Sequence, residues 1–297
     1  MLPAVAAVRQ TLLDAANPRG GWAYYPNKSS RIEPTCWSLL AIRESWDDAA
    51  ASWTQFAAPH LQWLAAAQRP DGLLVDRASG PANFTANGLA ACVLAHVKPT
   101  SSGPSIAKLL NALVAAKGVS VDSAESDQNN RLQGWSWIAD TFSWLEPTSW
   151  CVLALKKAGA DTRGAPARID EADKVIANRV CEAGGWNYGN ASVVGQDLRA
   201  YVPTTALGLI ALQDRRRLPA VERSLAWLDQ ARLKEPSAMA MALASICFRI
   251  YGMAPDDVDA RLAGDVDRAT RVGNLQSLAT MLYALTATQH HARALRV

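Results

Sequence analysis

One short phrase occurs three times at the start of an apolar stretch: Glu33-Pro34-Thr35, Glu146-Pro147-Thr148 and Glu235-Pro236-Ser237. The first two continue almost alike, as Cys36-Trp37-Ser38-Leu39-Leu40-Ala41-Ile42 and Ser149-Trp150-Cys151-Val152-Leu153-Ala154-Leu155. Repetition constrains the fold before any single residue constrains chemistry. Weaker copies follow the same frame. Asn83-Phe84-Thr85 leads into Leu89-Ala90-Ala91-Cys92, Pro203-Thr204-Thr205 into Leu209-Ile210-Ala211-Leu212, and a last copy from Gln276 ends in Leu282-Tyr283-Ala284-Leu285. One alanine register runs through all six: Ala41, Ala91, Ala154, Ala211, Ala244 and Ala284. A small residue at that point lets neighbouring helices approach closely.

Apolar residues recur at helical spacing, as in Leu61, Leu64 and Ala65, and no segment reads as strand-rich. A second helical stretch precedes each copy, starting near Pro3, Trp53, Pro104, Ala167, Pro219 and Pro255. Gly20-Gly21-Trp22, Pro70-Asp71-Gly72, Gly134-Trp135 and Gly184-Gly185-Trp186 break the chain between the two. Six helical hairpins fit this pattern. Chained hairpins either stack openly or close into a ring, and the small-residue register with unequal loops predicts closure. The expected fold is all-α, an α/α toroid with inner and outer helix layers, forming one domain over residues 1–297. Proline at the first helical position accounts for the Glu-Pro-Thr phrase, because its missing N–H is not needed there.

Composition removes several function classes. The 297 residues carry a net charge of +3, with no Lys/Arg-rich run, which leaves no footprint for nucleic acid. The five cysteines are scattered through apolar stretches, as expected of reduced thiols in a cytoplasmic protein. No signal peptide is read at the N-terminus. The longest near-apolar run, residues 238–247, is too short to span a bilayer, so membrane contact is at most peripheral.

The repeats resemble those of the terpenoid cyclase and protein prenyltransferase superfamily, in which an outer helix ends, turns through Gly-x-Trp and starts an inner helix. Trp63-Leu64-Ala65-Ala66-Ala67-Gln68, followed by Asp71-Gly72 and Leu74, is similar to the family's QW repeat with leucine for its final tryptophan. Gly20-Gly21-Trp22 and Gly184-Gly185-Trp186 resemble the repeat's end without its glutamine. Class II members carry D-x-D-D-T-A at an inner-helix start, where the middle aspartic acid protonates an alkene. Laying that threonine on Thr35 or Thr148 puts Glu33 or Glu146 at the proton-donor position. A helix N-terminus favours the carboxylate anion, so only burial keeps such a group protonated. The competing reading makes the three glutamates helix-entry residues.

The zinc-binding branch uses an Asp-x-Cys spacing that is absent here, and His60 and His96 stand alone, so no metal and no cofactor is expected. Asp256-Asp257-Val258-Asp259 falls one residue short of a metal-diphosphate motif and reads as a helix start, and Asp265-Val266-Asp267 lacks the adjoining residues of a cyclase acid motif and reads as structural.

The aromatics extend the picture. Trp37 and Trp150 lie one turn after Glu33 and Glu146, on the same helix face. With Trp144 and Tyr188 they are candidates to line a cavity, while Trp22 and Trp186 wedge loop against helix. Arg31, Arg131 and Arg199 share these loops, and Arg31 and Arg199 are the candidates for a diphosphate or other charged head. Three functions follow. The first is an isoprenoid-processing, terpene cyclase-like isomerase or lyase with Glu33 or Glu146 as acid or cation stabiliser. The second is a non-catalytic toroid binding a lipid, peptide or protein partner. The third is a carbohydrate-active ring using the two glutamates as a pair.

Overall fold

The computed structural model describes residues 3–46, 50–76, 80–97, 103–121, 128–193, 195–253 and 256–297. Among the described residues twelve helices form two layers, and a one-turn helix, Ala287–His290, follows the last of them. The chain order is α1 (Pro3–Asp14), α2 (Ile32–Glu44), α3 (Ala50–Ala66), α4 (Phe84–Val97), α5 (Ile106–Ala115) and α6 (Leu145–Ala154). It continues with α7 (Ala165–Asn178), α8 (Val202–Ala211), α9 (Pro219–Ala231), α10 (Ala238–Tyr251), α11 (Asp256–Val272) and α12 (Leu275–Leu285). A two-residue antiparallel ribbon, Ser192–Val193 with Gln196–Asp197, decorates the loop before α8.

The even-numbered helices form the inner layer, each packed on the next, and α12 packs on α2 to close the ring. Each odd helix from α3 to α11 lies outside the inner helix preceding it, and α1 lies outside α12. First and last hairpins therefore touch. The fold is an α/α toroid, as the repeat pattern predicts. Inner helices are apolar on nearly every face because both layers bury them; α4 is buried from Phe84 to Leu94. Outer helices are amphipathic. In α11, Val258, Leu262 and Val266 form the buried stripe at four-residue spacing, with charged residues around it. All six register alanines are buried.

Two expectations are corrected. Pro34 and Pro147 occupy the third helical position, since α2 and α6 start at Ile32 and Leu145. They remain in the first turn, whose N–H groups lack intrahelical partners. The third phrase slips by one residue. Ser237 caps α10, accepting from the Ala240 N–H, while Glu235 sits outside the helix and accepts from the Ser237 N–H at 2.8 Å. The expected helix start at Pro255 lies outside the described residues.

A recurring clamp joins each early hairpin. The buried Thr35, Thr148 and Thr205 hydroxyls accept from the backbone N–H of Trp22, Trp135 and Trp186 at 2.9–3.0 Å. The indoles of those tryptophans donate to carbonyls of the preceding outer helices, on Leu12, Leu113 and Ile176, at 2.7–2.9 Å. In the second hairpin the Asn87 amide takes the threonine's part, accepting from Leu74 N–H at 2.7 Å and donating to Leu74 O at 2.9 Å. Glycine is required just before the tryptophan. Gly20 and Gly184 both have φ of +94°, and a Cβ on Gly20 would fall 2.2 Å from the Pro59 carbonyl. Gln68 serves a related purpose, bonding both Ser105 N–H and Ser105 O and so tying the end of α3 to the start of α5.

Two residues beyond the clamp, the chain stitches the ring. The carbonyls of Tyr24, Trp137 and Tyr188 accept the first helical N–H of a neighbouring inner helix, from Leu275, Phe84 and Leu145, at 2.8–2.9 Å. The Asp76 carboxylate, two residues past Leu74, does the same for Ile32 at 2.8 Å.

The clamp predicts a contrast between adjacent residues. Thr148→Val strands the buried Trp135 N–H and should lower unfolding free energy by about 1–3 kcal/mol in urea titration. Ser149→Ala should be neutral, because the Ser149 hydroxyl is buried without a partner among the described residues.

Candidate functional site at the toroid mouth

The loops and inner-helix starts share one rim, and a cavity of about 250 Å³ opens there. Trp37, Glu146, Trp150, Tyr188, Leu207 and Leu243 line it, with Pro203, Thr204, Met239 and Gln276 completing the wall. Its floor is aromatic. Trp37 meets Trp150 edge-on, with ring centroids 5.8 Å apart, and Tyr283 at 6.1 Å. These three side chains close the ring axis, since Trp37 and Trp150 are only 2% and 3% exposed.

The opposite end is sealed by charge. Glu44, at the end of α2, holds His96 and the C-terminal residues His290 and Arg293. Lys157 donates to the Arg293 and Arg296 carbonyls at 3.2 Å, and Gln213 to Leu295 O at 2.8 Å. Access to the cavity is therefore from the loop rim.

Glu146 lines this cavity; Glu33 does not, but lies near enough for its charge to act on Glu146, and each is addressed by the aromatic residue of the stitch. The Tyr24 hydroxyl donates to Glu33 Oε2 at 2.5 Å, and Trp137 bonds the Glu146 side chain. The helix start does not decide their protonation. Burial first, and then the nearby Glu33 charge, lift Glu146 to about 7 against the Trp137 bond. Burial also raises Glu33, with Asp76 adding to it and the Tyr24 bond opposing. Desolvation outweighs the helix dipole in both. A carboxyl that keeps its proton near neutrality, set against aromatic faces, has the components of a general acid beside a cation-stabilising wall.

The other expected residues divide. Trp37, Trp150, Tyr188 and Glu146 come together at the cavity. Trp22 and Trp186 are clamp residues, as expected. Trp144 does not line this cavity; it stacks on Trp137 at 4.8 Å and faces a second cleft. Trp137 reaches the glutamate instead. Arg31 lies 3.6 Å from Asp76 in a shallow depression with Tyr24 and Tyr25. Arg199 is exposed and lines none of these cavities. Tyr24, Asp76, Trp137 and Gln276 escape the sequence reading. The signal for the first three was a spacing of two residues beyond Trp22, Leu74 and Trp135, and for Gln276 its place at the glutamate position of the last copy. Cys36, Cys92, Cys151, Cys181 and Cys247 are free and buried, and no group of His, Cys, Asp and Glu among the described residues has the makings of a metal site.

No family model and no curated protein matches the sequence. Solved structures do. A protein from Actinoplanes aligns over 96% of this chain and 99% of its own, at 16% identity and a TM-score of 0.57. A variant of the type II terpene cyclase MstE from Scytonema, in complex with geranylgeranyl dihydroxybenzoate, aligns over 98% of this chain and 97% of its own, at 14% identity and a TM-score of 0.61. Another MstE variant, in complex with merosterolic acid A, has a TM-score of 0.55 at 15% identity and 96% coverage of both chains. At these identities the likeness shows the fold: an α/α toroid of the terpene cyclase type.

The raised Glu146 value fixes a pH dependence. The folded-state value of about 7 stands above the ordinary 4.5. The folded state therefore binds the extra proton, and the favourable contribution is complete below pH 4.5 and lost as pH rises through 7. Buried His60 and His290, both lowered to about 4, act with the opposite sign, gaining stability as pH rises from there through 6.5. The Glu146 share is isolated by comparison: in urea denaturation the stability of the wild type relative to Glu146→Gln, which has no proton to lose, should fall between pH 5 and 8 by on the order of 2 kcal/mol.

Proposed function

We propose that residues 1–297 act as one domain that binds a short isoprenoid-like chain in the mouth cavity and cyclises it by protonation. One observation carries this reading: Glu146 places a carboxyl on the cavity wall beside Trp37, Trp150, Leu207 and Leu243, where burial lifts it to about 7. The likeness in fold to a cyclase solved with a geranylgeranyl dihydroxybenzoate supports the choice of ligand class. The volume narrows it, because about 250 Å³ lies below the ~300–1,000 Å³ of typical ligand pockets.

In the proposed step the Glu146 proton passes to one carbon of a terminal double bond. The π electrons form the new C–H bond and leave a tertiary cation at the other carbon, against the faces of Trp37 and Trp150. A second double bond of the same chain attacks that cation and closes a ring. Loss of a proton from the cyclised cation to the Glu146 carboxylate restores the enzyme, so the reaction is an isomerisation. Glu33, held by Tyr24, disfavours ionisation of Glu146 through its own charge. Trp144 backs Trp137, Tyr188 closes one side, and Arg31 and Arg199 are assigned to a polar head at the rim. This chemistry calls on no metal and no cofactor. The buried free thiols fit a reducing cytoplasm.

A non-catalytic reading is favoured by the aromatic floor, which makes the cavity shallow enough to hold a ligand or a partner's side chain without enclosing it. The carbohydrate reading calls for two carboxyl groups at the cavity, and Glu33 is not among its lining residues.

Purified protein should convert geranyl or farnesyl compounds to cyclic isomers, detected by gas chromatography with mass spectrometry. Glu146→Gln should cut turnover at least ~10²-fold while ligand binding, read by tryptophan quenching, persists. The wild-type rate should fall above pH 7, as the acid ionises. Turnover that survives Glu146→Gln ends the acid assignment, and binding without turnover in the wild type selects the non-catalytic reading.

A further inference from the structure

A second cleft, of about 260 Å³, lies beside the mouth and shares no lining residue with the central cavity. It is lined by Val121, Phe142 and Trp144, by the amides of Gln128, Asn130 and Asn190, and by Arg179. Arg179 is only 5% exposed. Its guanidinium makes one hydrogen bond, from Nη1 to the Ser143 carbonyl, and no ion pair among the described residues. Buried arginines ordinarily meet a carboxylate. This one does not. Burial alone pushes it down to about 10, so it stays charged at neutral pH with most of its donors unused.

The amides point the same way. Gln128 Nε2 donates to both Asn130 Oδ1 and Asn190 Oδ1, at 2.7 and 2.9 Å. That uses the acceptor oxygens of the two asparagines and leaves their NH₂ groups as donors. Among the described residues no acidic side chain lines the cleft. A cationic fork, two amide donors and two aromatic walls together specify a ligand with an anionic head and a flat apolar body.

We propose that the Arg179 cleft is a binding site for a small aromatic or allylic oxyanion, a carboxylate or phosphate ester. The guanidinium grips the head, Asn130 and Asn190 donate to its remaining oxygens, and the body lies against Phe142 and Trp144. The proposal does not depend on the cyclase reading.

Isothermal titration calorimetry with benzoate and with phenyl phosphate tests it, using benzyl alcohol as the neutral control. At least one of the two anions should bind the wild type, and the alcohol should not; the anion that binds tells carboxylate from phosphate recognition. Affinity should weaken with added salt. Arg179→Met should weaken it about tenfold or more. Asn190→Leu, at an exposed position, should weaken it with an unchanged melting temperature, so a folding defect in the arginine variant leaves the test intact. Glu146→Gln should leave anion binding unchanged, which separates this site from the central cavity. Failure of both anions to bind at about 10 mM, equal binding of benzyl alcohol, or binding indifferent to both Arg179→Met and Asn190→Leu would overturn the assignment.

Discussion

The backbone bond from the start of one inner helix to the loop of the next hairpin is the interaction on which this ring depends. An inner helix opens with N–H groups that nothing in the helix can satisfy. At four of the seams one of them is met by the chain two residues past a clamped loop position: by Tyr24, Trp137 and Tyr188 through their carbonyls, and by Asp76 through its carboxylate. Each loop thus belongs to two hairpins at once. The threonine or asparagine clamp fixes where the loop leaves the wall, and the stitch fixes where it lands. Between those points little freedom remains, so aromatic side chains at the landing positions are delivered to the mouth with a set height and direction.

That delivery explains the electrostatics of the two glutamates. A carboxylate in the first turn of a helix gains from the helix dipole, an effect worth about 0.3–1 kcal/mol in the open. Here the stitched loops cover the helix starts. Water is displaced from Glu33 and Glu146, and the cost of burying the anion exceeds the dipole's gain. The hydrogen bonds from Tyr24 and Trp137 moderate the shift without reversing it. The outcome is a pair of acids whose charges oppose one another, above a floor of interlocked aromatic rings.

Much of this was legible in the residues. The six alanines marked the inner layer, the missing strand patterns excluded a sheet, and Trp37 and Trp150 followed their glutamates by one helical turn into the cavity. Other features depended on long-range packing. The phrase at Glu235 looks like its two predecessors, yet a slip of one residue against Ala244 moves it off the helix and makes Ser237 the cap. Trp144 was a candidate for the cavity from its place in the loop before an inner helix; stacking on Trp137 holds it toward the neighbouring cleft instead. The protonation of the glutamates turns on burial, which local reasoning names but cannot read, because the covering groups arrive from loops distant in the sequence. Tyr24 and Asp76 carried no motif at all. Their meaning lies in a spacing of two from a clamped residue, which becomes visible once the clamp is known.

Closure of the ring by α12 on α2 sets an order on biosynthesis. These helices are separated by nearly the full chain, so their contact is the last that a growing polypeptide completes. Five seams join helices that are neighbours along the sequence in the inner layer and can assemble as they are made. Until α12 is released, α2 and α10 each keep an apolar flank without its partner, and the first helix, which packs against α12, has nothing to lie on. A ribosome stalled short of the last hairpin would hold an open arc with adhesive ends, well suited to pairing with a second arc. The toroid is therefore most exposed to misassembly just before α12 becomes available.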